Sequence, residues 1–571
     1  MSALDWVVLA ASLVLIVAYG LYRSRGSGTV SSYLLAGKTM PWYAMALSIM
    51  ATQASAITFI STTGQAYVDG MRFVQFYFGL PVAMVILSAT AVPLFHRAGV
   101  YTAYEYLERR FDAKTRALVS VIFLIQRGLG VGLALYAPAI VLSVILGWPD
   151  RITTVVMGAL VVAYTVVGGI KAVTWTDVQQ MLVIFLGLLV SLAVAIALLP
   201  DEVSFSEAVM LAGTLGKLKA VEWKFDWNDR YNLWSGLLGG TFLALAYFGT
   251  DHSQVQRYLT GKSIAQSRLS LLFNAVAKVP MQFLILFIGA VVFVFYIFEE
   301  PPLLFHPGEL RRIQAAEHES RYQPVEERFS AAFEERKRAA GQLLEAHRAG
   351  DARGLGQSLG AYRDAERKMQ AARAEGARLV ARAGGEEGFN DTNYIFLSFV
   401  TRYMPAGVVG VILAAIFAAA MSTISAEINS LATVTVIDIY RRHIRKEATD
   451  HHYLRASRAA TVFWGLYAVV FAEFGRNLGA LIEAVNVVGS LFYGGMLGVF
   501  VLAFYFPRVG SGAAFVGALC GETAIFAAHF FTKISFLWYN VIGCLVVLAA
   551  ALAITAVVPS GRNAAGLTSR Q

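Results

Sequence analysis

A chain of 571 residues that is 57% hydrophobic, only 15% charged and of mean hydropathy +0.58 is too apolar to be a soluble domain. Its formal charge of +9 comes without a zinc-finger or base-stacking pattern, so it reads as orientation signal and lipid contact, not as a nucleic-acid interface. The expectation is an all-α polytopic protein of the lipid bilayer.

At about 20 apolar residues per crossing, roughly thirteen spans are expected. They fall near 5–22, 42–66, 73–95, 117–146, 151–168, 176–199, 232–250, 266–297, 395–421, 459–474, 480–506, 512–531 and 536–558. The first has no basic residue before it and Arg23 and Arg25 after it, the reverse of a signal peptide, so it reads as a permanent helix starting outside. Alternating from there puts 23–40, 97–116, 251–268, 441–458 and the tail after 558 in the cytoplasm. These hold Arg109, Arg110, Lys114, Arg116, Arg441, Arg442, Arg445 and Lys446, in line with the positive-inside rule, and the expected location is the cytoplasmic membrane. Cys520 and Cys544 both fall in expected spans, which argues against a disulfide framework or a thiolate metal site.

Residues 301–388 break the apolar pattern with 15 Lys/Arg and 14 Asp/Glu. Runs such as "ERFSAAFEERKRAAGQLLEAHRAG" and "LGAYRDAERKMQAARAEGARLVARAGG" suggest two amphipathic helices joined near "GDARGLG", a hairpin projecting outside. Two readings stand: a solvated cap, or a part that binds a protein partner or gates.

Two membrane stretches are unusually polar. "AAAMSTISAEINS", residues 418–430, places Ser422, Ser425 and Asn429 on one helical stripe and Thr423, Glu427 and Ser430 on the next, so both can face a bundle interior. Hydroxyls are hard, uncharged oxygen donors suited to a small cation; they also serve simply to join helices. "SIMATQASAITFISTTG", residues 48–64, is nearly all small or hydroxylated. It suits a broken helix whose freed carbonyls and amides meet an ion and a solute near mid-membrane.

Five blocks in order, "YLLAGKTMPWYAMALSIMATQASAITF", "YTAYEYLERRF", "YTVVGGIKAVTWTDVQQ", "GTDHSQVQRYL" and "AAAMSTISAEINSLATVTVIDIYRR", resemble the sodium:solute symporter family. The resemblance runs from about 30 to 506 apart from the insertion. It implies a five-plus-five inverted-repeat (LeuT-like) core, alternating access and sodium as the coupling ion. The organisation it implies is an extra N-terminal helix and loop in 1–40, the first repeat and start of the second in 41–300, the insertion in 301–388, the rest of the second repeat in 389–506, and two further helices and a tail in 507–571.

By the family's pattern the sodium ligands are the carbonyls of Ala51, Ala54 and Ala419 and the hydroxyls of Ser422 and Thr423. The "TD" aspartate is Asp177, which either guides sodium inward or caps a helix start. Ser425 fits a second ion site of some relatives, whose next hydroxyl is Ala426 here. Glu427 lies outside the common pattern: it binds a cation, takes up a proton, pairs with Arg127 or Lys278, or reaches water at a helix end.

For the solute, resemblance to the sugar carriers points to Tyr247, Lys278 and Asn486, and departs from them at Thr58, Tyr77 and Ala244. Gln53 replaces the proline carrier's aspartate. Arg127, about 18 Å along its helix from the cytoplasmic end, either pairs with an acid such as Glu427 or receives a substrate carboxylate; the sialic acid carriers' arginine aligns with Gly130 instead. No nucleophile–base pair or HExxH spacing suggests an enzyme. The reading is a sodium symporter of a small polar solute, a sugar or sugar derivative, with a carboxylated or amino-acid-like solute and a transporter-like sensor as alternatives.

Overall fold

A computed structural model of the chain describes residues 1–23, 29–306, 308, 319–384, 389–473 and 480–557. These are almost wholly helical, with one isolated parallel bridge between Met40 and Gly261. Nine helices among the described residues are long and apolar enough to cross a membrane. Their outward faces carry large apolar side chains, such as Val14 and Leu15, Leu186 and Leu189, and Leu466 and Val470. Water would not tolerate that belt; lipid does.

In chain order, α1 (Ala3–Arg23) precedes a short α2 (Val30–Leu35) and the half-helices α3 (Trp42–Gln53) and α4 (Ala56–Asp69). The expected span at 73–95 begins differently: Gly70–Tyr77 is a 3-10 segment, and the apolar helix follows as α5 (Leu80–Ala89) and α6 (Ala91–Ala98). The run α7 (Ala103–Arg110), α8 (Ala113–Leu146) and α9 (Asp150–Ala197) comes next. The 48 residues of α9 are divided by a break at Gly169, whose φ of 59° and contact with Tyr33 leave no room for a side chain. The break falls at the boundary expected near residues 168–176.

Beyond α10 (Phe205–Thr214), a π-wound turn Ser235–Gly239 leads into α11 (Gly240–Gly249), α12 (His252–Leu259) and α13 (Ile264–Phe298). The chain between α11 and α12 breaks at Thr250 and Asp251, and the α3/α4 break holds the equivalent place at the head of the preceding half. Two broken leading helices are what an internal repeat built around a midplane site requires.

The insertion forms α14 (Glu319–Arg348) and α15 (Ala352–Gly384), turned at Gly350 with φ +65°. The pair has a small core of its own, including Tyr322, Phe329, Phe333 and Met369. Arg336 is buried and donates to Glu366 Oε2 at 2.8 Å and to the Tyr296 carbonyl at 2.5 Å, which fixes the hairpin to the end of α13. Its tip is held by Arg348, which donates to Glu207 Oε1 at 2.6 Å and to the Glu202 carbonyl. That guanidinium, with the Ser204 cap, lowers the Glu207 carboxyl to about 2.

Then come α16 (Ile395–Tyr403), α17 (Val408–Val434), α18 (Asp450–Ala472), α19 (Leu481–Tyr505), α20 (Ser511–Phe531) and α21 (Phe536–Val557). The expected span 395–421 is therefore corrected. Residues 395–403 form a separate short helix, and Pro405 and Gly407, the latter at φ 87°, end it before α17 starts. The apolar window closed too early because it stopped at the polar stretch, which in fact lies deep in α17 with every residue from 412 to 434 buried.

Opposite the hairpin lies the basic face. There Glu108 accepts from Arg116 at 2.7 Å and pairs with Arg442 at 2.6 Å, while Arg116 also pairs with Asp438 at 2.6 Å. The segments expected to share a side are thus tied together, across the starts and ends of α8 and α17.

Candidate functional site

The α3/α4 break is made by small residues. Ala54 (ψ 63°) and Ser55 (ψ 168°) leave the helical region, so the last carbonyls of α3 and the first amides of α4 lose their intrahelical partners. The negative end of one half-helix and the positive end of the other then meet at one place. Against this break packs α17. Thr423 Oγ1 donates to the Thr52 carbonyl at 3.0 Å, and Ala51 O accepts from Ala54 N. Ser422 Oγ donates to Asp177 Oδ1 at 2.6 Å, and Ser48 Oγ donates to the other carboxylate oxygen at 2.5 Å. Both hydroxyl protons of Ser422 and Thr423 are thereby turned away, which leaves their lone pairs available to a cation.

Asp177 is corrected as a helix cap. It lies inside α9, eight residues past the Gly169 break, fully buried and 3.2 Å from the Arg257 guanidinium. A carboxylate there is tolerable because a cation and two hydroxyls surround it. Ala419 is buried on the same helix one turn before Thr423, and Ser425 donates to the Ser422 carbonyl at 3.1 Å. The rest of the polar stretch is satisfied locally: Ser430 donates to the Glu427 carbonyl, Thr433 to the Asn429 carbonyl, and Asn429 to Gln256 on α12.

One helical turn below Thr423, Glu427 does not reach water. It is 5% exposed, and Arg127 Nη1 donates to its Oε1 at 2.7 Å. Arg127 Nη2 meets Asp251 Oδ2 and the Tyr493 hydroxyl, 2.6 Å away, and Tyr493 in turn donates to Asp251 at 2.9 Å. Both terminal nitrogens of Arg127 are therefore occupied by the protein. Of the two expectations for Arg127, pairing with Glu427 holds, and a solute carboxylate would have to displace an existing ion pair.

A cavity of about 120 Å³ opens between these elements. Gln53, Thr58, Tyr77, Arg127, Tyr247 and Asn486 line it together with Thr423 and Glu427, so six of the seven solute residues anticipated from sequence come together. Lys278 does not. It is fully buried on α13, behind the Tyr77 ring, with Nζ 5.5 Å from the ring centroid and no hydrogen-bond partner among the described residues. Tyr77 is the bulky residue that screens it from the cavity.

Sequence reasoning missed Asp251, Tyr493, Gln126, Ser48 and Arg257. Asp251 carried a signal: it follows Gly249 and Thr250 and caps α12 through the Ser253 amide at 2.9 Å, which marks a helix break. Tyr493 and Gln126 carried none, since their role depends on three helices meeting. No group of three His, Cys, Asp or Glu residues able to hold a metal ion occurs among the described residues; the donors at the break are carbonyl and hydroxyl oxygens, which are hard and uncharged.

A profile of the sodium:solute symporter family matches residues 33–317 and 369–521, most of the chain and on both sides of the α14 insertion. This chain belongs to the sodium:solute symporter family. It is 27% identical to the sodium/sialic acid symporter NanT of Aliivibrio fischeri over 561 residues, covering 96% of this chain and 92% of that one. It is 25% identical to the sodium/glucose cotransporter of Vibrio parahaemolyticus, with 91% and 84% covered, and 27% identical to the sodium-dependent multivitamin transporter of Oryctolagus cuniculus, with 91% and 69% covered. In structure it resembles a substrate-bound, outward-open sodium-coupled sialic acid symporter with a TM-score of 0.76 over 98% of both chains at 23% identity, which establishes the shared fold. Members of the sodium:solute symporter family are carriers, not enzymes.

Proposed function

We propose that this symporter imports a small polar organic solute, a sugar or sugar derivative, together with sodium, by alternating access around the α3/α4 break. The observation that carries the reading is that the break, the hydroxyls of Ser422 and Thr423, and an internal cavity lined by polar side chains are contiguous. The carbonyls of Ala51, Ala54 and Ala419 and the two hydroxyls would ligate one sodium ion. Asp177 would orient Ser422 and receive the ion on its way inward, where Arg257 competes for the carboxylate. Sodium bound at this point joins α3 to α17, so ion occupancy would fix the shape of the cavity wall that also includes Gln53 and Thr58.

The hairpin of α14 and α15 is assigned to the outside, with the N-terminus on the same side and the C-terminus in the cytoplasm. The relatives' names, sialic acid and glucose among them, support a hydroxylated solute, as does a lining of Asn486, Gln53, Thr58 and three tyrosines. A carboxylated solute has less support because Arg127 is already engaged by two carboxylates. Proteoliposomes test the reading: radiolabelled sugar and sugar-derivative uptake should follow an inward sodium gradient and vanish when potassium replaces sodium. Uptake that ignores sodium would overturn it.

A further inference from the structure

The acid that the family pattern leaves unexplained has an unused half. Glu427 Oε1 is held by Arg127, but Oε2 is buried, faces no hydrogen-bond donor among the described residues, and belongs to a side chain lining the cavity. Gln126, 2% exposed and also on the cavity, has an equally unpartnered Oε1. Two buried acceptors left empty in residues that line one cavity are costly unless a ligand fills them.

Charge points the same way. Arg127 supplies one positive charge here, and Asp251 and Glu427 supply two negative ones. Asp251 is saturated: its Oδ1 accepts the Ser253 amide at 2.9 Å and the Ser253 hydroxyl at 2.7 Å, and its Oδ2 accepts from Arg127 and Tyr493. Of the two carboxylates, Glu427 is therefore the one that keeps an unsatisfied oxygen beside the cavity. Lys278 is screened from it by Tyr77, and Asp177 is already matched by Arg257.

Aromatic rings complete the lining. Tyr247 and Tyr493 lie with centroids 5.9 Å apart and both line the cavity, and the Tyr247 face already receives a cation, with the Arg127 Cζ 5.4 Å from its centroid. Tyrosine faces beside a carboxylate are the usual surroundings of a bound ammonium. Elsewhere in the lining the polarity is opposite, since Asn486 presents an unpartnered Nδ2 donor.

We infer that the solute carries a protonated amino group, received by Glu427 Oε2 and Gln126 Oε1, with a hydroxyl or carbonyl oxygen at the other end received by Asn486. This rests on the sodium-symport reading and narrows it to amine-bearing solutes such as amino sugars.

The test is thermal unfolding of the purified full chain in sodium and in potassium, with matched probes: D-glucosamine against D-glucose, and L-alanine against L-lactate. At least one amine should stabilise the protein in sodium while its hydroxyl counterpart does not. Glu427→Gln and Gln126→Leu should each weaken the response to the amine by about tenfold or more. Stabilisation by sodium alone should stay within about twofold of wild type in both. If Glu427→Gln fails to fold, Gln126→Leu decides, because it keeps the Arg127 pair.

The inference is overturned if neither amine stabilises, or if glucose or lactate does so equally well. It is overturned also if Glu427→Gln weakens the sodium response instead, which would make Oε2 a second cation ligand, or if that variant abolishes a dependence of uptake on external pH, which would make it a proton carrier. Failure of the parent reading has a separate signature: sodium alone, without any probe, would not stabilise the wild-type chain.

Discussion

Thr423 on α17 donates its hydroxyl proton to the backbone carbonyl of Thr52 at 3.0 Å, just where α3 ends. Two segments 371 residues apart in sequence are thereby joined at the break that ends α3. An ion that ligates this hydroxyl and the carbonyls at the break holds α3 against α17, and its loss lets them part.

Thr423→Ala removes the hydroxyl proposed as a sodium ligand while preserving helix propensity. The half-activating sodium concentration should rise about tenfold or more, matching about 1.5–3 kcal/mol for a contact to a charge. Apparent solute affinity at saturating sodium should change by less than about twofold. Initial rates of uptake against sodium concentration, at fixed high solute, measure both.

Arg127→Met would leave Asp251 and Glu427 facing each other's surroundings with no cation between them. Breaking a buried pair in this way costs about 3–5 kcal/mol, so the purified variant should melt well below wild type. Adding Glu427→Gln removes one of the stranded charges and should recover part of the loss. A double variant no more stable than the single one would show that Glu427 is not electrostatically coupled to Arg127.

Gly64 on α4 lies against the segment before α16: a Cβ there would come within 2.1 Å of the Thr392 carbonyl oxygen, which is backbone and cannot swing aside. Gly64→Ala should therefore push α4 from Thr392 and cost about 1–3 kcal/mol. The thermal midpoint should fall and transport slow, with sodium activation far less affected than in Thr423→Ala.

The hairpin tip depends on Arg348 and Glu207. Because the Glu207 carboxyl titrates near 2, below its ordinary range, the ion pair is present at neutral pH and is lost only as pH falls through about 2 to 4. Glu207→Gln should raise hydrogen–deuterium exchange around residues 346–356 at pH 7, while wild type at pH 5 should keep its protection pattern once intrinsic rates are corrected for.

Much of this was legible in the sequence because it is written locally. The α3/α4 break follows from the small, hydroxylated run 48–64, and the stripes of α17 follow from helical spacing. The start of α17 was not legible, since hydropathy alone favoured the apolar residues before Pro405 over the polar ones after Ala418. Asp177 was misplaced between two roles because its burial comes from Ser48, Arg257 and Ser422, which lie on three other helices. The same holds for Arg127: its depth could be estimated along one helix, but its second partner, Asp251, comes from a break in another. Lys278 matched the sugar carriers by position, yet Tyr77 stands between it and the cavity, a packing fact that no alignment of single positions contains.

The central claim is that a sodium ion between α3 and α17 couples ion binding to the solute cavity. The most direct measurement is thermal stability of the purified protein titrated with sodium against potassium at constant ionic strength, for wild type and Thr423→Ala in parallel. Saturable stabilisation by sodium, absent with potassium and shifted to about tenfold higher concentration by the substitution, is the result expected. Identical curves for the two ions, or for the two proteins, would contradict the account.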